Sequence, residues 1–443
     1  MNLLLMSARS PYLDGEKIYP PLGLLYLKAA VDRELPHIKI DITDNYSLEN
    51  INEFYKYDMI GISVMTPQRV ETYRILNMIK EVYPTKKMII GGPHVLHYLD
   101  EVKESKFDYI VPKDGQRSLI KILKGEAKRV EIDQMSKEEW AKQPRPDRTS
   151  YEARKFLFDY NYELNGKPAT TILTSTGCPM KCTFCEDAMT QVRWSPLEKI
   201  CEELNDIQDL GKSAVYIFDD LFAIAMPKVK PIVEELSKRD LIYRCNGQAN
   251  YFTKWGEDFA KLLSDTGCYE IAFGHETGSQ QILDNTRKQT TIEQNYQSIE
   301  FARKYGLKVK SFLMIGLPGE TYETIAETEK FIREAQPDDF QLCIYYPYRG
   351  TQIREQIERG ESDMFFYGEG LGAYGQKGGN TEAVIGNDKL NPSDLLNERD
   401  RIVRKYKPES HKPKFDDGFF VSDDEKEEYN RILQLKYLEH LES

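Results

Sequence analysis

The chain has 443 residues, with Lys plus Arg numbering 60 against 72 Asp plus Glu, a formal charge of −12 at pH 7, and 40% hydrophobic residues. That balance excludes a disordered or fibrous chain, and the acid excess argues against a broad nucleic-acid footprint. No apolar run approaches the ~18 residues that cross a bilayer, and Met1-Asn2-Leu3-Leu4-Leu5-Met6 lacks the basic start and long apolar stretch of an export signal. A cytoplasmic location without membrane association is therefore expected, and the length predicts two or three domains.

From the start to about residue 125, short strand-like runs (Leu3-Met6, Ile38-Ile42, Met59-Val64, Met88-Ile90, Tyr109-Val111) alternate with helical patterns. Leu24, Leu27 and Val31 recur at helical spacing, and Val70 to Tyr83 and Ser118 to Leu123 continue the alternation. Five strands with crossover helices predict a doubly wound, flavodoxin- or Rossmann-like parallel sheet whose ligands bind at the carboxyl ends of the strands. Residues 126–168 interrupt the rhythm, and Gln143-Pro144-Arg145-Pro146 reads as a linker crossing a surface. A second series follows over 169–351: strands at Thr170-Ser175, Ala214-Phe218, Ile242-Asn246, Tyr269-Phe273, Lys308-Ile315 and Phe340-Ile344, with helical faces such as Leu197, Ile200, Leu204 and Ile207 between them. Six strand-helix units predict a partial (β/α)6 barrel with its site at the strand carboxyl ends. Residues 352–443 form a small, mostly helical extension, with a glycine-rich loop over Tyr367-Asn380 and charged helices at Leu395-Tyr406 and Asp424-Leu441; it reads equally as a lid or as a solvated tail.

Seven cysteines are too few for a disulfide scaffold, but three of them, Cys178, Cys182 and Cys185, fall within eight residues directly after the first barrel strand. The spacing is C-x3-C-x2-C. Three thiolates on one loop suit three corners of a cubane iron-sulfur cluster and leave the fourth iron open to a small molecule. A zinc site completed by a distant His is the alternative, although zinc loops usually come as two paired C-x2-C knuckles and no second pair is present. Cys201 shares an apolar helix face with Ile200 and Leu204 and is expected in the core, as are the strand cysteines Cys245, Cys268 and Cys343.

With Phe184 just before its last cysteine, this loop resembles that of the radical S-adenosylmethionine superfamily. Later segments resemble that superfamily in the same order. They are Phe218-Asp219-Asp220 after the second strand, Gly274-His275-Glu276-Thr277 after the fourth, Gly316-Leu317-Pro318-Gly319-Glu320 after the fifth, and Tyr346-Pro347-Tyr348-Arg349-Gly350-Thr351 at the barrel's end, where Arg349 replaces a proline. The resemblance implies that Cys178, Cys182 and Cys185 ligate a [4Fe-4S] cluster whose open iron chelates S-adenosylmethionine. It implies too that an electron from the cluster yields a 5′-deoxyadenosyl radical, and that Phe184, Asp219, Asp220, Glu276 and Gly316 surround the cofactor. Local alternatives are helix capping by Asp219 and Asp220, a turn role for Gly316, and a His275 side chain directed away from the site.

The N-terminal segments Pro20-Pro21-Leu22-Gly23, Gly61-Ile62-Ser63, Gly91-Gly92-Pro93-His94 and Phe107 to Val111 resemble the cobalamin-binding domain that precedes the barrel in one large class of these enzymes, so the likeness runs from about residue 2 to 350. It implies a corrin site near Ser63, Thr66, Gly91, Gly92, His94 and Gly115, the glycines admitting the ring; tight turns with nothing bound are the alternative. The cobalt-ligating D-x-H-x-x-G motif is absent, which gives His94 a wall or capping role, and Lys113-Asp114-Gly115-Gln116 stands where relatives often carry G-E-G-E. Together the resemblances imply a cobalamin-dependent radical enzyme that methylates an unactivated carbon of a small-molecule or natural-product-like substrate, supplied with electrons by a flavodoxin or ferredoxin. Tyr345, Tyr346 and Tyr348 either line the substrate pocket or pack. A non-methylating rearrangement, cyclisation or dehydrogenation is the rival chemistry, and a metal- or cofactor-binding protein without turnover is the rival class.

Overall fold

The computed structural model describes residues 1–8, 17–44, 48–368 and 382–407; most of the glycine-rich loop and the helix expected at Asp424-Leu441 lie outside them. The N-terminal part runs β1 (Asn2–Ser7), α1 (Leu22–Glu34), β2 (Lys39–Thr43), β3 (Met59–Ser63), α2 (Arg69–Val82), β4 (Lys87–Gly91), α3 (Pro93–His97), α4 (Leu99–Glu104), β5 (Tyr109–Val111) and α5 (Gly115–Lys124). The strands pair in parallel in the order β2-β1-β3-β4-β5. Leu3, Leu4, Leu5 and Met6 are all buried because helices cover both faces of the sheet. The strand order reverses between β1 and β3, so the loops after these strands and β4 form the crevice where such sheets bind ligands.

The expected linker is an ordered strap. It contains α6 (Lys137–Ala141) and α7 (Tyr151–Phe158). Ala153, Phe156, Leu157 and Tyr160 share an apolar cluster with Leu22, Leu25 and Tyr26 of α1. Arg148 is 0% exposed, donates to both Glu203 Oε1 and the Thr171 carbonyl, and thereby ties the strap to the barrel. Arg145 does the same at the surface through Asp206 and Glu202. The prolines that stop a long helix thus set short segments whose arginines reach into the next domain.

The barrel comprises β6 (Glu163–Leu164), β7 (Lys167–Ile172), the small pair β8 (Ser175–Thr176) and β9 (Arg193–Trp194), α8 (Leu197–Asp209), β10 (Ala214–Ile217), α9 (Met226–Lys238), β11 (Ile242–Gly247), α10 (Ala249–Asp265), β12 (Cys268–Glu276), α11 (Gln280–Asn285), α12 (Ile292–Lys304), β13 (Lys308–Ile315), α13 (Tyr322–Ala335), β14 (Asp339–Ile344) and α14 (Gln352–Glu358). Its sheet has the order β14-β13-β12-β11-β10-β7-β6; every pairing is parallel except the two-residue β6, and β14 does not close on β7. Sequence capping is visible in the helices: Thr291 with Gln294 and Thr321 with Thr324 form reciprocal boxes at the starts of α12 and α13.

Beyond the barrel come β15 (Met364–Phe366), β16 (Ile385–Asn387) and α15 (Pro392–Tyr406). Neither a lid nor a solvated tail describes α15. Leu395 and Ile402 are buried in the barrel's own core cluster, and Arg401, Lys405 and Tyr406 bind Glu329 of α13, so α15 extends the outer helical layer. Cysteine placement splits likewise. Cys245 and Cys268 are in the core as expected, but Cys201 is half-exposed, because one residue along a helix turns it about 100° from Ile200 toward the Glu235 and Arg239 side chains. Cys343 is also half-exposed, on the inner face of β14.

Candidate functional site: the cysteine loop and the facing crevice

The loop carrying Cys178, Cys182 and Cys185 leaves the carboxyl end of β7 and is fixed from several sides. Asp219, fully buried after β10, accepts from the Thr174 N–H (2.7 Å), the Thr174 hydroxyl (2.6 Å) and the Ser175 hydroxyl (2.6 Å). Burial raises its carboxyl and the hydrogen bonds from Thr174 and Ser175 partly offset that, leaving it pushed up to about 6. Asp220 accepts from the Gly177 N–H at 2.6 Å. Gly177 has φ +88° and a Cβ there would lie 2.4 Å from the Gln191 carbonyl, so the turn into the first cysteine demands glycine. On the far side, the Thr183 N–H donates to the Thr286 carbonyl, and the Ile353 N–H of α14 donates to the Thr183 carbonyl.

Cys178, Met180, Cys182, Phe184, Cys185 and Leu221 pack as one cluster. Burial raises all three thiols, Cys182 to about 11 and Cys185 to about 12. Among the described residues no three Cys, His, Asp or Glu side chains converge as a single ion requires. Three soft donors with no fourth protein ligand at hand suit a cubane cluster with one open corner.

Glu276 ends β12 at φ +65°, a left-handed conformation uncommon for glutamate, next to a register shift in the β12–β13 pairing. Its carboxylate folds back over Gly274 and accepts from Lys288 Nζ at 2.5 Å. Both side chains are about 8% exposed. Burial opposes the Lys288 charge, but Glu276 and the nearby cysteines more than offset that, so its ammonium is held above the usual lysine range. Lys288 Nζ also lies 5.9 Å from the centre of the Phe184 ring. A buried carboxylate and ammonium side by side at the cluster loop offer both signs of charge to a zwitterionic amino acid group. Lys288 escaped the sequence reading: it stands in the loop before α12, twelve residues past Glu276, and only folding brings it back.

Other expected residues take different parts. Asp219 directs both oxygens into the loop it braces. His275 points away from the site, between Ser311 and Ser298 at 2.9 and 3.0 Å, and burial pushes it down to about 3. Gly316 lies against Ile385 and Leu395, and its N–H donates to Glu320 Oε2 at 2.9 Å. Tyr345 and Tyr346 are buried.

The crevice of the N-terminal sheet faces this loop. Ser63 ends β3, and Thr66 lies 3.4 Å from His94 Nδ1. The His94 ring stacks on Tyr98 (4.4 Å) and is buried, which pushes it down to about 3, and its Nε2 has no hydrogen-bond partner among the described residues. His94 stands in α3 just past β4, its side chain enclosed by the protein, with Glu101 Oε1 3.9 Å from Nε2. At φ +105° the missing side chain of Gly92 faces the Val64 backbone, 2.6 Å from the carbonyl oxygen, so the approach of these two loops demands glycine. Gly91 lies beside Val111, and Gly115 beside Leu27, where α5 meets α1.

Two cross-domain contacts flank the cluster loop. Asp114 receives Arg193 Nη1 and Nη2 at 2.7 and 3.2 Å, and the Arg193 guanidinium lies 4.6 Å from the Trp140 ring centre. On the other side the Arg349 guanidinium lies 4.8 Å from the Tyr98 ring centre, and His97 Nδ1 would be 2.1 Å from any Cβ on Gly350. The departure of Arg349 from the resembling motif is therefore a domain contact.

Known proteins agree with this architecture. The profile of the radical SAM superfamily matches residues 172–332, and that of the B12 binding domain matches 14–122. An uncharacterized methyltransferase of Pyrococcus horikoshii is 27% identical over 362 residues, covering 76% of this chain and 78% of its own. The anaerobic magnesium-protoporphyrin IX monomethyl ester cyclase of Rubrivivax gelatinosus is 25% identical over 345 residues, 72% of this chain and 61% of its own. The structure of OxsB, a cobalamin-dependent S-adenosylmethionine radical enzyme with aqua-cobalamin and S-adenosylmethionine bound, superposes with a TM-score of 0.64 at 20% identity, over 75% of this chain and 51% of that one, a likeness of fold. Among the described residues no helix is long and apolar enough to cross a membrane. The chain belongs to the radical SAM superfamily and carries a B12 binding domain ahead of its radical SAM domain, so that its cofactors are a [4Fe-4S] cluster, S-adenosylmethionine and cobalamin.

Proposed function

We propose that this chain methylates an unactivated carbon of a small-molecule substrate held between the barrel mouth and the N-terminal crevice. The observation that carries the reading is the pair of contacts, Asp114–Arg193 and Tyr98–Arg349, that hold the two mouths against each other on either side of the cysteine loop. When bound, the cluster with S-adenosylmethionine supplies an organic radical, and cobalamin supplies a transferable methyl group. The residues of the chain bind, orient and shield. Cys178, Cys182 and Cys185 hold the cluster; Glu276 and Lys288 receive the amino acid end of S-adenosylmethionine; Phe184 packs beside it. Ser63 and Thr66 line the corrin, with His94 packed behind Thr66. Fixing the target between the two mouths replaces diffusion by proximity, and the apolar surroundings keep water from the radical. Free thiols support a cytosolic setting in which a carrier such as flavodoxin or ferredoxin donates the electron.

The test is anaerobic reconstitution of the full chain with iron, sulfide and cobalamin, followed by S-adenosylmethionine and candidate substrates. Release of both 5′-deoxyadenosine and S-adenosylhomocysteine is expected. Deoxyadenosine alone, with converted substrate, replaces methylation by cyclisation or rearrangement, the second reading, which the likeness to a cyclase favours. Failure to release either product with every candidate, in protein loaded with cluster and cobalamin, leaves cofactor binding without turnover.

A further inference from the structure

The inner face of the barrel carries an aromatic wall that the cofactor sites do not use. Val215 and Ile217 of β10 belong to the outer core, packed with residues of α8 and α9, so Tyr216 and Phe218 turn inward. Their rings meet edge to face at 4.9 Å. Tyr19, from the N-terminal domain just before α1, closes on both at 5.7 and 5.4 Å and on Tyr162 at 4.9 Å, so the wall draws on both domains.

The network behind the wall is fixed. The Arg244 guanidinium lies 4.5 Å from the Tyr216 ring centre and its Nε pairs with Glu270 at 2.9 Å. The Tyr216 hydroxyl donates to Asn246, whose amide donates to the Asp219 carbonyl. Farther along the same inner face, Lys310 pairs with Asp339 at 2.8 Å. These charges are matched within the protein. Phe218 differs from the rest of the wall: it is 42% exposed, although it immediately precedes the two aspartates that brace the cluster loop. A ring held in place by two others, with an open face at the mouth, presents a preformed π surface at small entropic cost.

We propose that Phe218 is a specificity-determining stacking platform and that the substrate presents a planar conjugated ring to it, with Tyr19 and Tyr216 holding the platform upright. This names a substrate class for the site and rests on the function proposed above. Binding is tested without turnover, using the full chain with reconstituted cluster and two neutral probes of the same skeleton, naphthalene-2-methanol and its perhydro form, followed by saturation-transfer NMR.

The planar probe is expected to receive at least fivefold more transfer than the puckered one. Phe218→Ala is expected to reduce that signal at least fivefold and Phe218→Tyr to keep it within twofold, with cluster absorbance and cobalamin retention unchanged. Phe218→Leu keeps the apolar volume while removing the π face; it is expected to lose the planar preference, and it decides the matter should the alanine variant disturb the loop. Equal transfer to both probes, transfer to neither, or a planar preference that survives in Phe218→Leu overturns the proposal. Protein that stacks the probe but releases neither deoxyadenosine nor S-adenosylhomocysteine counts against methylation alone, and methylation that proceeds with no planar preference counts against the platform alone.

Discussion

The barrel mouth is held by ionisable side chains: buried Asp219 gathers Thr174 and Ser175, exposed Asp220 takes the Gly177 amide, and Lys288 meets Glu276 with little of either exposed. The N-terminal crevice is held by backbone shape, with Gly92 folded onto Val64 and a neutral His94 stacked on Tyr98. The contrast suits the ligand proposed for each. A cluster and a zwitterion need charge fixed in place, whereas a large neutral-faced ring needs a surface.

The sharpest way to separate the two mouths is Cys182→Ala. It is expected to abolish the cluster's visible absorbance and deoxyadenosine release, at least 100-fold, while cobalamin retention persists; a variant that keeps iron and sulfide at the level of the parent breaks the assignment. Arg148→Ala attacks the strap between the regions. It leaves Glu203 buried without its partner, for a loss of about 3–5 kcal/mol in urea unfolding, whereas the apolar double replacement Arg148→Met with Glu203→Leu is expected to recover most of it. A loss below about 1 kcal/mol shows that the pair is not what joins them.

Gly92→Ala is the converse of the cysteine change. Left-handed strain plus a clash with the Val64 backbone is expected to cost about 2–4 kcal/mol, seen as faster proteolysis of residues 1–124 with the cluster intact. Equal loss of cluster and crevice means that the mouths fold as one unit. The smallest effect concerns Glu320, which accepts from the Gly316 amide and the Thr324 hydroxyl; burial pushes its carboxyl from 4.5 up to about 7. The folded chain then holds a proton that the unfolded chain releases, so this group's contribution to stability falls as pH rises from about 4.5 to about 7. Glu320→Gln is expected to flatten that part of the profile of unfolding free energy against pH, and an unchanged slope refutes the shift.

Short-range chemistry was legible in the residues themselves. The spacing of Cys178, Cys182 and Cys185, the turn from Gly316 to Glu320, and the apolar periodicity of the strands each lie within one element, so local geometry alone relates their side chains. The same reading placed His275 away from the site. It did not show that Gly92 packs on the Val64 backbone, because a glycine needed for a ligand and one needed for a neighbouring loop look identical along the chain. It also left α15 undecided, since a charged helix with few apolar positions reveals its partner only when Leu395 and Ile402 meet the barrel.

Pairings across the chain belong to the tertiary structure. Arg193 lies 79 residues from Asp114, and Arg148 lies 55 from Glu203. A charged residue in sequence has many possible opposite charges, and only the packed strands and helices decide which one is within reach. The amino acid order therefore specified which cofactor chemistry the chain carries, through thiols whose spacing is covalent. Folding decided where that chemistry faces, because the orientation of two domains depends on contacts such as Arg349 with Tyr98 that no local pattern encodes.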